Sequence, residues 1–495
     1  MRPMNVRSSS GKPKARSVLP WAAPIVVALA FSAWAPNARL TAAALVTLLA
    51  IVPLTWRPGE PPVLLFAVSY QWIQVATKVF HANVLGIQVG SMMAFGQTDL
   101  AIWLSFVGLL ALAVGMRLGL AGLPAVDLRA TAVEIDALSL DRLWLAYAIA
   151  FIGKEGIRLV AWLVPGLTQA LLAFGDLRWF FFFLFAYGAL AQRRRYAMLT
   201  FAVALEVVFG FTGFFSAFKE VFFVLLIAYL TVRPKFGMRN AATVGVFIGA
   251  VVALGALWMT VRGDYRTYVS RGERAQVVHI DFLDRLDRMR EMLMAVDGPA
   301  LAGGVELLAE RMAYVDYFSM VALHVPARLP FEEGALWKAA ILHILTPRLF
   351  FSDKPILLSD SELTMKYTGL YLASGEEGTS ISLGYFAESY IDFGPVGMMV
   401  PILLVGVSWG LVYRYFLSRG TWVCFTFAAA VAVLMRTNQF EIYSVKLIGG
   451  VLVTFIVFAI WIRWGLPTIV PWMRRKRTPA ESWAEHRDFT RRTAG

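Results

Sequence analysis

"AATVGVFIGAVVALGALWMT", residues 241–260, runs for twenty residues without a charge. A helix rises about 1.5 Å per residue, so this run covers ~30 Å, the depth of a bilayer's hydrocarbon core. Comparable apolar runs recur along the 495-residue chain, which is 58% hydrophobic, 14% aromatic and only 16% charged, with a mean hydropathy of +0.64. A water-soluble fold of this size needs more polar surface than that composition supplies. The expected fold class is all-α, a polytopic membrane helix bundle.

Windows of helix length place spans near 18–36, 38–56, 62–80, 100–121, 142–164, 178–192, 196–214, 219–232, 241–260, 395–413, 421–436 and 445–464, about twelve in all. The first follows a basic start that resembles a signal-peptide n-region but has no clear cleavage site, so it reads as a retained span. The fifth carries Lys154 and Glu155, which are costly at membrane depth unless they pair, face a cavity or lie near an interface. The sixth is short. With this count, the basic N-terminal tail, Arg193–Arg195, the basic residues at 233–239 and the tail around 473–477 share one side. Positive charge marks the cytoplasm, so both termini are expected there. The expected organisation is an N-terminal bundle over 1–260, a large helical periplasmic loop over 261–394, further spans over 395–464 and a basic tail over 465–495.

The loop carries 13 Lys and Arg against 19 Asp and Glu, whereas the rest of the chain carries 33 against 14. The basic balance therefore belongs to the cytoplasmic face and to anionic lipid. It gives no sign of nucleic acid as a partner. The lone cysteine, Cys424, sits in an apolar run and reads as a small buried hydrophobe.

Within the loop, "DFLDRLDRMREML" places Phe282, Leu286, Met289 and Leu293 at helical spacing, an amphipathic helix. "GGVELLAERMAYVDYFSMVALHVP" repeats the pattern until Pro326 ends it. "ALWKAAILHILTPRLFF" is too short to span easily and suits a re-entrant or interfacial helix closed by Pro347. Arg348 and Lys354 follow, well placed to meet a lipid headgroup, Arg348 by a fork of donors and Lys354 as a point charge. Equally, both cations could snorkel to the interface and satisfy the helix C-terminus.

Arg311, Gly334, Pro347-Arg348, Lys354-Pro355, Ser380, Gly384, Glu388, Phe393-Gly394 and Gly397 follow one another in an order that resembles the bacterial Wzy-type family of O-antigen and oligosaccharide repeat-unit polymerases. The resemblance covers about residues 300–410 in detail and the remainder only in topology. It implies a GT-C-like membrane glycosyltransferase that joins undecaprenyl-diphosphate-linked repeat units at the outer face of the inner membrane, with a flippase and a chain-length regulator as further partners. Such chemistry needs cations on the departing diphosphate and a group that takes the acceptor's hydroxyl proton.

Arg348 and Lys354 fit the first role, with Arg311, Arg262, Arg266 and Lys219 as further diphosphate-binding candidates. Glu388 or His343 fits the second, although Glu388 could serve as a structural ion-pair partner, His343 as a packed interfacial residue, and Arg262 and Arg266 as flanking anchors. No cofactor and no metal site is expected, since Asp360 and Glu362 have no His or carboxylate at ligand spacing. Glu206 and Lys446 lie deeper in spans, Glu206 reading as an interhelical hydrogen-bond partner, while Arg436 and Glu441 bracket the last outer turn and could pair. An O-antigen-ligase-like transferase would share these features. A transporter would show halves of similar size with matched broken helices, which this chain lacks.

Overall fold

The computed structural model describes residues 30–475, apart from residues 31, 94, 165, 215–216, 234–236, 274–276, 348–350, 352, 355–356, 372–380 and 420–421. The described elements are helices, joined at one point by an isolated bridge between Leu138 and Arg474. The first ten are α1 (Ala38–Thr55), α2 (Val63–Val84), α3 (Thr98–Gly119), α4 (Leu128–Asp136), α5 (Leu140–Leu163), α6 (Thr168–Gly175), α7 (Leu177–Gln192), α8 (Tyr196–Phe211), α9 (Lys219–Val232) and α10 (Met238–Val269). The intervening segment holds α11 (Phe282–Met294), α12 (Gly298–Met312), α13 (Val315–His324), α14 (Ala335–Leu345), α15 (Asp360–Thr368) and α16 (Tyr385–Gly397). The chain then re-enters the bundle as α17 (Met399–Arg419), α18 (Val423–Leu434), α19 (Ser444–Ile460) and α20 (Leu466–Met473).

The protein is an all-helical, multi-pass membrane protein. Among the described residues seven helices are long and apolar enough to cross a bilayer, or eight if the sharply bent pair α11 and α12 is one span. That is fewer than the twelve expected from the sequence, and each difference has a reason. The 18–36 segment lies mostly outside the described residues. α5 is long enough at 24 residues but carries Lys154, Glu155 and Arg158. α8, α9 and α18 are 16, 14 and 12 residues, short for a ~30 Å core. Other boundaries shift as well. α10 continues past residue 260 to Val269, the expected loop helix ending at Pro326 breaks between Met312 and Val315, and the last helix continues through a π-turn to Met473.

One seam holds the middle of the bundle. A Cβ on Gly115 or Gly119 of α3 would lie 2.2 or 2.4 Å from the carbonyl oxygens of Leu403 and Val407, and one on Gly406 or Gly410 of α17 would meet Leu112 and Met116 as closely. Two Gly-x-x-x-Gly faces therefore meet backbone to backbone, the close approach that small residues permit in lipid, where hydrophobic burial no longer drives helices together.

Polar contacts gather at the two ends of the bundle. At one end, Arg57 pairs with Glu60 at 2.7 Å, Glu134 accepts from the backbone N–H groups of Val423 and Cys424, and Ser139 N donates to Met473 O. At the other, Lys78 pairs with Asp316 at 2.8 Å and Thr98 bonds Ser319 at 3.0 Å, fastening α13 onto α2 and α3. The segment between α10 and α17 packs on this second end, called the loop end below.

Candidate functional site

From Tyr385 to Asp392, every residue of α16 is buried. A helix hidden on all sides must satisfy each polar group it carries, and this one does so by capping its neighbours. Glu388 accepts from the backbone N–H of Ser444 at 2.6 Å, at the start of α19. Asp392 accepts from the backbone N–H groups of Leu336 and Trp337 at 3.1 and 2.8 Å, at the start of α14, while Ser389 receives the Trp337 indole N–H. Two acidic side chains thus occupy two helix N-termini and accept from N–H groups that the helices leave unpaired. Gly384, at φ +85°, lets the chain turn into this helix against the carbonyl of Phe440.

The other candidates near it have structural contacts too. Lys354 Nζ donates to the backbone carbonyl of His343 at 2.5 Å, at the C-terminal end of α14. His343 is half-buried on that helix, which packs along α19. Arg348 and Ser380 lie outside the described residues.

The remaining cations converge elsewhere. Arg262 and Arg266, in the last two turns of α10, and Arg311, in the last turn of α12, stand close enough for their charges to act on one another. Arg266 Nε donates to the carbonyl of Phe214 at 3.1 Å, fixing this group over the turn between α8 and α9. Lys219 opens α9 on the far side of that turn, donates to the Tyr70 hydroxyl at 3.2 Å and lies within electrostatic reach of Glu220 and Glu441. Tyr314 closes the circuit, since both Arg311 and Glu441 act on its hydroxyl. Neither Arg262 nor Arg311 has a carboxylate at salt-bridge distance among the described residues.

Glu441 is the carboxylate within electrostatic reach of Lys219 across the turn. Its position is held by Gln74, whose amide donates to the carboxylate and whose carbonyl accepts from Phe440 N at 3.0 Å. The sequence points to it only weakly, as an acid in a short turn between two apolar runs. Its expected pairing with Arg436 does not form, because Arg436 reaches back instead to Asp176 through two bonds of 2.6 and 3.0 Å. Lys446 likewise stands at the exposed start of α19, paired with Asp360 at 2.5 Å, not deep in the span. Glu206 is an interhelical partner as expected, bonded to Tyr147 at 3.0 Å and to Arg178 at 3.1 Å. Lys154 lies 3.8 Å from Glu155 and over the ring of Phe151.

Beside Lys219, the N-terminal ends of α7, α9 and α19 enclose a cavity of about 200 Å³, walled in part by Asp176, Trp179, Glu220, Arg436 and Lys446. The described residues contain no group of His, Cys, Asp and Glu arranged to hold a metal.

A family model described as a domain of unknown function, DUF8712, matches residues 104–466. The chain belongs to the DUF8712 family. No curated protein and no solved structure matches it. The DUF8712 match contains the three arginines, Lys219, Glu388 and Glu441, whereas Tyr70 and Gln74, which hold Lys219 and Glu441, come from α2, ahead of it.

Proposed function

We propose that this chain is a membrane glycosyltransferase, a polymerase that joins undecaprenyl-diphosphate-linked oligosaccharide repeat units into a surface or exopolysaccharide. In this reading the chain crosses the bacterial inner membrane about twelve times with both termini cytoplasmic, and the loop end faces the periplasm. The observation that carries it is the gathering of Arg262, Arg266 and Arg311 at one turn, with Lys219 across that turn in the field of Glu441. Three guanidinium groups repel one another, and an anion bound among them relieves that repulsion. A diphosphate at the membrane interface is such an anion, and guanidinium forks match its oxygens.

The reaction then proceeds as a displacement. A hydroxyl of one lipid-linked repeat attacks the anomeric carbon of the growing chain, and a new C–O bond forms there. The bond from that carbon to the diphosphate breaks, and undecaprenyl diphosphate leaves with the electron pair, its charge met by the arginines. The hydroxyl proton passes to Glu441. Arg348, read from sequence alone, adds a further cation for the leaving group.

Replacing Arg262 and Arg311 together by Ala tests this. Polymer synthesis in membranes is expected to fall about a hundredfold or more while the protein level holds, since a single donor to a developing charge contributes on the order of 10²–10³ in rate. Lysines at both positions should recover part of the activity. Normal polymer from the double Ala variant would remove the arginines from the chemistry.

A further inference from the structure

The cavity beside Lys219 differs in chemistry from the arginine group. Most of its charges are already matched: Arg436 is held by Asp176, Lys446 by Asp360, and Glu220 lies 3.7 Å from Arg178, while Lys219 bonds the Tyr70 hydroxyl. A diphosphate entering there would have to break these pairs, whereas at the arginines it would break none at Arg262 or Arg311. What the wall does offer is a dense mixture of hydrogen-bond donors and acceptors, two carboxylates, three cations and the Gln439 amide, alongside the rings of Trp179 and Phe223. Hydroxyl groups both donate and accept, and the C–H face of a sugar ring packs on aromatic surface, so this wall matches a polyhydroxylated ring.

Size sharpens the match. About 200 Å³ is the room of roughly six or seven waters, enough for one sugar ring. Location adds the rest. Lys219 lines the cavity and also lies in the field of Glu441, so one side chain links the cavity to the carboxylate proposed to take the proton.

We infer that this cavity is a monosaccharide subsite, which receives a single sugar ring of the acceptor repeat while the arginines hold diphosphate. Its biological meaning rests on the glycosyltransferase reading, but the binding is measured without it.

The test uses the full chain in nanodiscs of phosphatidylcholine and phosphatidylglycerol and saturation-transfer NMR. The probes are glucose, galactose, N-acetylglucosamine, rhamnose and glucuronate, with phosphoethanolamine and glutamate as zwitterionic competitors. At least one sugar is expected to take up saturation and both zwitterions to stay silent. Gly450 lines the cavity, and a Cβ there meets no atom within 4 Å, so Gly450→Leu is placed to fill the space. It should cut the sugar signal at least fivefold with an unchanged melting temperature. Should that variant fold poorly, Glu220→Gln, nearly the same shape on a side chain 42% exposed, should weaken the signal about threefold.

Silence from every sugar, a signal from a zwitterion alone, or a sugar signal that neither variant alters would overturn the inference. Sugar binding as described, in cells whose lipid-linked glycans do not depend on this chain, would sink the polymerase reading and leave the subsite standing. Dependence of the glycans on the chain with no sugar bound in the cavity would do the reverse.

Discussion

Glu388 and Glu441 are both carboxylates at the loop end, and their surroundings assign them different work. Glu388 is buried and committed to the N-terminus of α19; Glu441 is half-buried, oriented by Gln74 and within electrostatic reach of Lys219. Glu441→Gln should therefore lower polymer synthesis about a hundredfold, the usual contribution of a positioned proton acceptor. Glu388→Gln, which keeps an oxygen for the Ser444 N–H, should retain most activity; the opposite ranking would return the proton-accepting role to Glu388. Titration separates them further. Burial pushes the Glu388 carboxyl up from its ordinary 4.5 to about 8, against the pull of the Ser444 backbone N–H. The folded state thus binds a proton more tightly than the unfolded one, so this group's stability contribution is full below about pH 4.5 and is lost as pH rises to about 8. The melting temperature of Glu388→Gln minus that of the unaltered protein should climb by several degrees over that window and level off above it. A difference that stays flat would show that Glu388 keeps an ordinary affinity for its proton.

Among the elements, the α3–α17 seam has the least room for change. A Cβ on Gly410 would lie 2.4 Å from the Met116 carbonyl and 2.9 Å from the Cα of Gly119, contacts with backbone that cannot swing away. Gly410→Val must push the two helices apart, and overpacking of this kind costs about 1–3 kcal/mol or more. Gly245, on the open face of α10, has nothing within 4 Å of a Cβ, so Gly245→Ala should be neutral or slightly stabilising. Melting curves followed by size-exclusion chromatography in detergent compare the two directly. Equal behaviour would mean that the seam yields more easily than its distances imply.

For the molecule as a whole, what could be read from the sequence is what neighbouring residues decide. Uncharged runs such as 241–260 announce membrane helices, and the spacing of Phe282, Leu286, Met289 and Leu293 announces α11, because periodicity is a local property. The cations of the site, Arg262, Arg266, Arg311 and Lys219, were also legible as charges beside apolar runs. Their partners were not. Asp176 meets Arg436 from 260 positions away and Gln74 meets Glu441 from 367, so only folding reveals which acid each side chain finds. Glycines told as little, since Gly is frequent in membrane helices and nothing local distinguishes Gly410, packed against backbone, from Gly245, facing open space. The motif around Glu388 reads as chemistry in the sequence, and in the fold its acids cap helices.

The central claim is that this loop end polymerises lipid-linked repeats. It is tested most directly by a mass-spectrometric profile of lipid-linked glycans in cells with and without the chain. Loss of the chain should leave single repeat units accumulated on undecaprenyl diphosphate and no longer products. Long glycans stalled on the lipid, or a profile that does not change, would contradict it.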